Sequence, residues 1–210
     1  SKLILTDIEM KVPEKHDASI GIVASELSIS HSRVLSRIDL SDGARLTLET
    51  VDLEKYDINT ISATNSEVTL KNSTVKGGNL EMDYPPVWLD NVVWKSENCK
   101  IELPGGTAVC LNNNVQFNSD SDCITSLNSY GSMLRAHQAT FTEFLCIYDQ
   151  SFAALTGETT FLAENAQRIS FGAFSDSVVM ADQMIFHKIA DPNIRLQSSA
   201  YVKADAVTYA

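Results

Sequence analysis

Basic charge is scarce in this chain. Sixteen Lys and Arg face 27 Asp and Glu, for a net charge of −11. That sign repels phosphate backbones and anionic lipid, so nucleic acid is excluded as a partner class. No run of 18 apolar residues exists, which excludes insertion by a membrane-spanning helix. The opening stretch SKLILTDIEM lacks the basic and long apolar segments of a signal peptide, so any secretion signal would lie outside it. Cysteine is limited to Cys99, Cys110, Cys123 and Cys146, none in a CxxC and none with a His at zinc-ligand spacing. These are too few for a disulfide scaffold and read as free, buried thiols. GxGxxG, GxxxxGK and GxSxG are all missing, so nothing calls for a nucleotide, a cofactor or a metal. His16, His31, His137 and His187 form no HxxxH or HExxH and read as surface or packing residues. Helical periodicity is scarce too, with only FTEFLCIYDQ (141–150) left open.

A two-residue alternation is what the chain does have. Segments of the form apolar-x-apolar, polar bend, apolar begin at 3, 27, 46, 68, 87, 109, 133, 152, 178 and 201, spaced 19 to 26 residues apart. VVMADQMIF (178–186) and YVKADAVTY (201–209) show the pattern most plainly. Thr, Val, Ile and aromatics crowd these segments, as strands prefer. Turn formers crowd the intervals, as in SDGAR (41–45), KGGN (76–79) and PGGT (104–107). A unit of about 22 residues cannot bury its apolar face alone, but it can by stacking on its own copies. The pattern predicts an all-β solenoid of about ten rungs, roughly 48 Å long at the spacing of paired strands. A hexapeptide helix would hold a tighter spacing, and leucine-rich repeats would show LxxLxLxxN.

These variable 19–26-residue coils resemble the right-handed parallel β-helix proteins: phage tailspikes, autotransporter passengers and pectate-lyase-like enzymes. The resemblance implies a right-handed coil and a single β-helix domain over residues 1–210. The chain departs from autotransporter passengers in its nine Gly and four Cys, and from polygalacturonase-like members in lacking DD and GHG motifs. Neither end reads as capped, which suggests a segment of a longer protein. Residues 1–26, with Pro13, Lys11 and Lys15, form either an N-terminal rung or a cap. The expected interior ladder is Leu27, Leu46, Val68, Val109, Val178 and Tyr201, with Cys123 and Cys146 on adjacent rungs.

Carboxylates are the residues to examine for catalysis, because polysaccharide-cleaving β-helices use them. In an extended FNSDSDC (117–123), Asp120 and Asp122 would point to one side, roughly 7 Å apart, within reach of an inverting glycosidase pair. The same cluster fits a calcium site or, most simply, a turn bonded to its own backbone. Asp39 with Asp42, and Asp52 with Asp57, read as turn acids. Tyr84 and Trp88 in YPPVWLDNVVW (84–94) offer a flat platform for a sugar ring. Against this stands Trp94 filling the core with Trp88 packed under a loop. The sequon Asn72-Ser73-Thr74 matters only in a eukaryotic secretory protein.

The row expected to face outward turns from Ser28, Thr47 and Thr69 to Trp88, Cys110, Leu134, Ala153, Val179 and Val202. An outward apolar row implies an interface through Trp88, Leu134, Val179 and Val202, trimeric if the tailspike likeness extends so far. A one-residue register error is the competing reading, because Arg135 and Lys203 would otherwise point inward. The leading functional expectation is a non-catalytic β-helical binding module of a phage tail or bacterial surface protein. It would be extracellular, on a cell surface or virion, and would contact host glycan or a host surface protein. The alternatives are a polysaccharide-cleaving enzyme using Asp120 and Asp122, and a secreted bacterial effector with a protein-interaction rod.

Overall fold

The computed structural model of the chain describes residues 1–11, 19–83, 86–96, 100–103, 108–113, 115–119, 126–130, 133–141, 144–162, 169–187 and 193–210. The chain is a parallel β-solenoid of at least six turns, each of about 22 residues. Among the described residues the strands form three parallel stacks, so the coil has three faces, and the longer strands run from one face to the next. The first face begins with Lys2–Thr6, which pairs in parallel with the start of Glu26–Leu35, and that in turn with the start of Arg45–Thr64. The second face carries Glu9–Lys11, then later stretches of those same long strands. The third carries Ser19–Val23, Arg37–Ser41 and the end of Arg45–Thr64. Residues 2–6 and 19–23 thus join the stack in the register of the turns that follow. In FTEFLCIYDQ, Phe141 and Phe144–Tyr148 are strand, and Asp149 and Gln150 form a turn.

Alternation along each strand decides what lies inside. On the first face one inner column runs Leu3, Leu27, Leu46, Val68, Val87 and Val109 in continuous pairing. From there the expected ladder needs correction. Val109 pairs with Leu134, which pairs with Ala153, then Val179, then Val202. Leu134 and Val179 are therefore buried in the chain's own core, whereas Val178 is half-buried and Tyr201 exposed. Val202 is partly buried against that core. Met133-Leu134, Val178-Val179 and Tyr201-Val202 each begin with two apolar residues, so period two cannot choose between them. Arg135 and Lys203 resolve the choice: in the observed register both point away from the chain's own apolar core, where an unpaired charge would be costly. Of the expected interface, Trp88 alone keeps its outward position, and Leu134 and Val179 do not take part.

The second face supplies the bulk. Its inner column passes from Val34, Leu53 and Val75 to Trp94, and further along the stack to Phe141, Phe161, Phe186 and Tyr209. The rings of Phe141, Phe161 and Phe186 stack at centroid distances of 5.7 and 4.8 Å, and Phe171 meets Phe161 edge-on at 5.9 Å. Trp94 fills the core, but its indole N–H has no hydrogen-bond partner there. The large residue ending each repeat is thus one step of an internal aromatic ladder.

The corner between the first and second faces needs a backbone that turns left. Asp7, His31, Thr50, Asn72, Asn91, Asn113 and Gln138 all have positive φ there, between 47° and 56°, and Gly157 follows at 66°. Asn, Asp and Gly tolerate this region because they carry no branch at Cβ. Backbone N–H groups at this bend donate to the next turn: Asn72 to the Asp90 carbonyl at 2.9 Å, Asn91 to that of Asn112 at 3.0 Å. Just inside it, the Ser73 hydroxyl accepts from the Val51 N–H at 3.1 Å and donates to the Lys71 carbonyl at 2.7 Å. Ser32 does the same for the Ile8 N–H at 3.1 Å. Buried serines therefore satisfy the backbone groups that the bend removes from the strand ladders.

Two stability measurements follow. Phe161→Ala should cost about 3–5 kcal/mol in denaturant unfolding, because the stacked rings around the cavity cannot collapse into it; a loss below about 1 kcal/mol would show that the aromatic column is not the core. Thr50 is the β-branched member of the left-handed corner row, at φ 56°. Thr50→Asn should raise stability by about 1 kcal/mol by relieving that strain, and a lowered melting temperature would contradict the corner geometry.

Candidate functional site

The left-turning corner also forms an open groove. It encloses about 640 Å³ and is bordered by Asp7, Glu9, His31, Arg33, Thr50, Asp52 and Asn72, among others. The wall residues fall into two columns, Asp7, His31, Thr50 and Asn72 at the bend and Glu9, Arg33 and Asp52 two positions on, so the lining repeats along the stack. Arg33 is held over it by Glu9 at 3.7 Å and Glu54 at 3.2 Å. Asn72 accepts a hydrogen bond from the Asn91 amide at 2.9 Å, and Asn113 donates to Asp90 at 2.7 Å, which carries the polar row beyond the groove. Carboxylates, an amide, a hydroxyl and a guanidinium within one open trough can both donate to and accept from hydroxyl groups. A smaller cavity of about 240 Å³ lies at the opposite corner, beside Gly43, Asn65, Glu67 and Pro86. Among the described residues no three His, Cys, Asp or Glu side chains gather as metal ligands.

The residues singled out from the sequence scatter. Asp120, Asp122, Tyr84, Cys99 and Cys123 lie outside the described residues. Trp88 stands on the outer side of the first face, away from the groove lining, and is 38% exposed. Asp39, expected in a turn, lies instead within the strand Arg37–Ser41 and is paired with Arg37 at 2.6 Å, whereas Asp42 occupies a left-handed bend at φ 57°, as a turn acid should. Asp52, read as another turn acid, instead borders the groove. His31 sits on the corner row, and His137 Nδ1 lies 3.1 Å from the Thr156 hydroxyl on the next turn. In the sequon, the Ser73 side chain is buried and engaged with backbone. The groove itself escaped the sequence reading. Its signal was the polar residue that recurs just after each apolar-x-apolar segment: Asp7, His31, Thr50, Asn72, Asn91 and Asn113.

The two described thiols differ. Cys110 lies half-buried on the outer side of the first face, between Trp88 and Arg135 on the adjoining strands. Cys146 lies on the third face beside Gly172, where the Phe174 ring covers both. A Cβ on Gly172 would press into that ring, which would have to shift to admit it. Phe174 in turn stacks on Tyr148 at 4.7 Å. Burial pushes the Cys146 thiol up to about 11, against a smaller downward pull from its hydrogen bond with Tyr148.

Compared with known protein families, curated proteins and solved structures, the chain matches none.

Thiolate is the reactive form, so raising its pKa leaves Cys146 protonated at ordinary pH. Cys110 should react with a disulfide reagent at pH 8 in the native protein, and Cys146 only after unfolding or as pH nears 11. Peptide mapping that finds native Cys146 modified at pH 8 would contradict the Phe174 cover.

Proposed function

We propose that this chain is a non-catalytic binding module: a right-handed β-helix of ten rungs, carried by a phage tail or bacterial surface protein, that contacts host glycan through the corner groove. Parallel strands joined by crossovers are overwhelmingly right-handed, which supports the handedness. The continuous pairing of equivalent positions from Lys2 to Tyr201 supports the rung number. The observation that carries the function is the groove, with Asp7, Glu9, Thr50, Asp52 and Asn72 set at repeating intervals. An oligosaccharide is itself a repeating array of hydroxyls, and a repeating polar trough can bond several successive units. No ring platform is required, so Trp88 leaves the glycan site.

The test is binding of neutral and uronate oligosaccharides, followed by NMR titration. A double substitution, Asp52→Ala with Asn72→Ala, should weaken binding by about tenfold or more, since each lost hydrogen bond is worth roughly 1 kcal/mol. No binding by folded protein across the panel would reject the reading. Release of reducing sugar would instead make the chain a polysaccharide-cleaving enzyme and return attention to Asp120 and Asp122.

A further inference from the structure

The outer side of the first face changes character along its length. Its leading column begins with alternating charges, Lys2, Glu26, Arg45 and Glu67, linked at 3.7, 3.5 and 3.0 Å. The same column then continues as Pro86, Ala108, Met133, Phe152, Val178 and Tyr201. Two residues along each strand runs its neighbour: Trp88, Cys110, Arg135, Ala154, Met180 and Lys203. Met133, Phe152, Met180 and Tyr201 are 50, 39, 36 and 55% exposed, and with Trp88 they gather five of the large apolar side chains that the described residues leave in water onto one face. All-parallel sheets seldom leave a face uncovered, and a contiguous apolar strip of this kind is usually an interface.

We infer that this face joins two copies of the chain, side by side with their strand stacks running the same way about a twofold axis parallel to the stack. An axis between the two columns sets each leading residue opposite the one two positions along in the other copy. Large then meets small: Phe152 faces Ala154 of the partner subunit, and Trp88 faces Pro86 of the partner subunit. Both cations meet apolar or aromatic side chains. Arg135 faces Met133 of the partner subunit, and Lys203 faces Tyr201 of the partner subunit, a cation over a ring. At the charged end, Arg45 and Glu67 face Thr47 of the partner subunit and Thr69 of the partner subunit. No charge is set against its like.

The reverse orientation is poorer. Overlaid along the whole face, it would lay the apolar half on the charge ladder. Centred on the apolar half, it would leave the charged half uncovered and lose much of the contact. Centred between those two columns, the faces overlap over about three residues of each strand, so the contact from Lys2 to Tyr201 measures roughly 40 by 10 Å, near 400 Å². A standard interface takes about 800 Å² per partner, so the pairing is expected to be weak, in roughly the tens of micromolar, rather than obligate. The glycan groove lies beyond the opposite edge of this face, so pairing and glycan binding stand or fall separately.

Sedimentation of the whole chain from one to a hundred micromolar tests the pairing. Association to a dimer is expected, with Phe152→Asp and Met133→Asp each raising Kd more than about tenfold while the circular dichroism stays unchanged. The two positions point out of the fold, so at least one variant should remain folded. In the dimer, a short bismaleimide should join Cys110 to Cys110 of the partner subunit, identified by peptide mass. A monomer throughout the range, a trimer, a dimer indifferent to both substitutions, or a dimer that never links through Cys110 would each overturn the proposal.

Discussion

Every feature of this molecule follows from one constraint: a parallel ladder repeats its hydrogen bonds from turn to turn, so equivalent positions must lie on top of one another. The rise per turn is the spacing of paired strands, about 4.8 Å, and it cannot stretch. A turn may gain or lose residues only where it leaves the ladder. Hence the spacings vary while the pairings remain continuous from Lys2 through Glu26, Arg45 and Glu67 to Tyr201. Corners repeat for the same reason. If one turn bends through a left-handed residue, the next must do so directly above it, and Asn72, Asn91 and Asn113 line up accordingly.

Stacking of like on like makes columns the unit of energy. Inside, a column of rings gains both buried area and favourable ring contacts, as at Phe141, Phe161 and Phe186. The same column tolerates a poor member because its neighbours hold it: Trp94 keeps an unbonded N–H in an apolar interior. Outside, a column of one charge would repel itself at every step. The first face avoids this by alternating Lys2, Glu26, Arg45 and Glu67, whose exposed pairs add little stability singly but exclude the like-charge alternative.

Division of labour follows from the geometry. A face is flat and can be covered by another flat face. A corner is concave where successive bends expose their side chains, and it can hold a chain-like ligand. The apolar half of the first face and the polar groove at its edge therefore suit different occupants. They share one set of strands, so the rod that presents the groove also orients it relative to any second copy.

The solenoid was legible in the sequence because strand period and coil spacing are local properties that survive in any context. The alternation in Leu46-Thr47-Leu48 already says which residue is inside, and the spacing of the repeats already says that copies stack. Trp94 in the core and Trp88 outside were likewise open to sequence reasoning. Register beyond Val109 was not. Met133-Leu134 and Val178-Val179 are apolar pairs, and only the rest of the turn, with Arg135 and Lys203 kept out of the apolar core, decides which member enters. The groove was equally hidden, because its wall residues lie some 20 positions apart and each alone reads as a turn. Local chemistry sets what each turn of the coil is. Which side chains meet across turns depends on how many residues each corner takes up, and the backbone ladder settles that only when the whole stack is assembled.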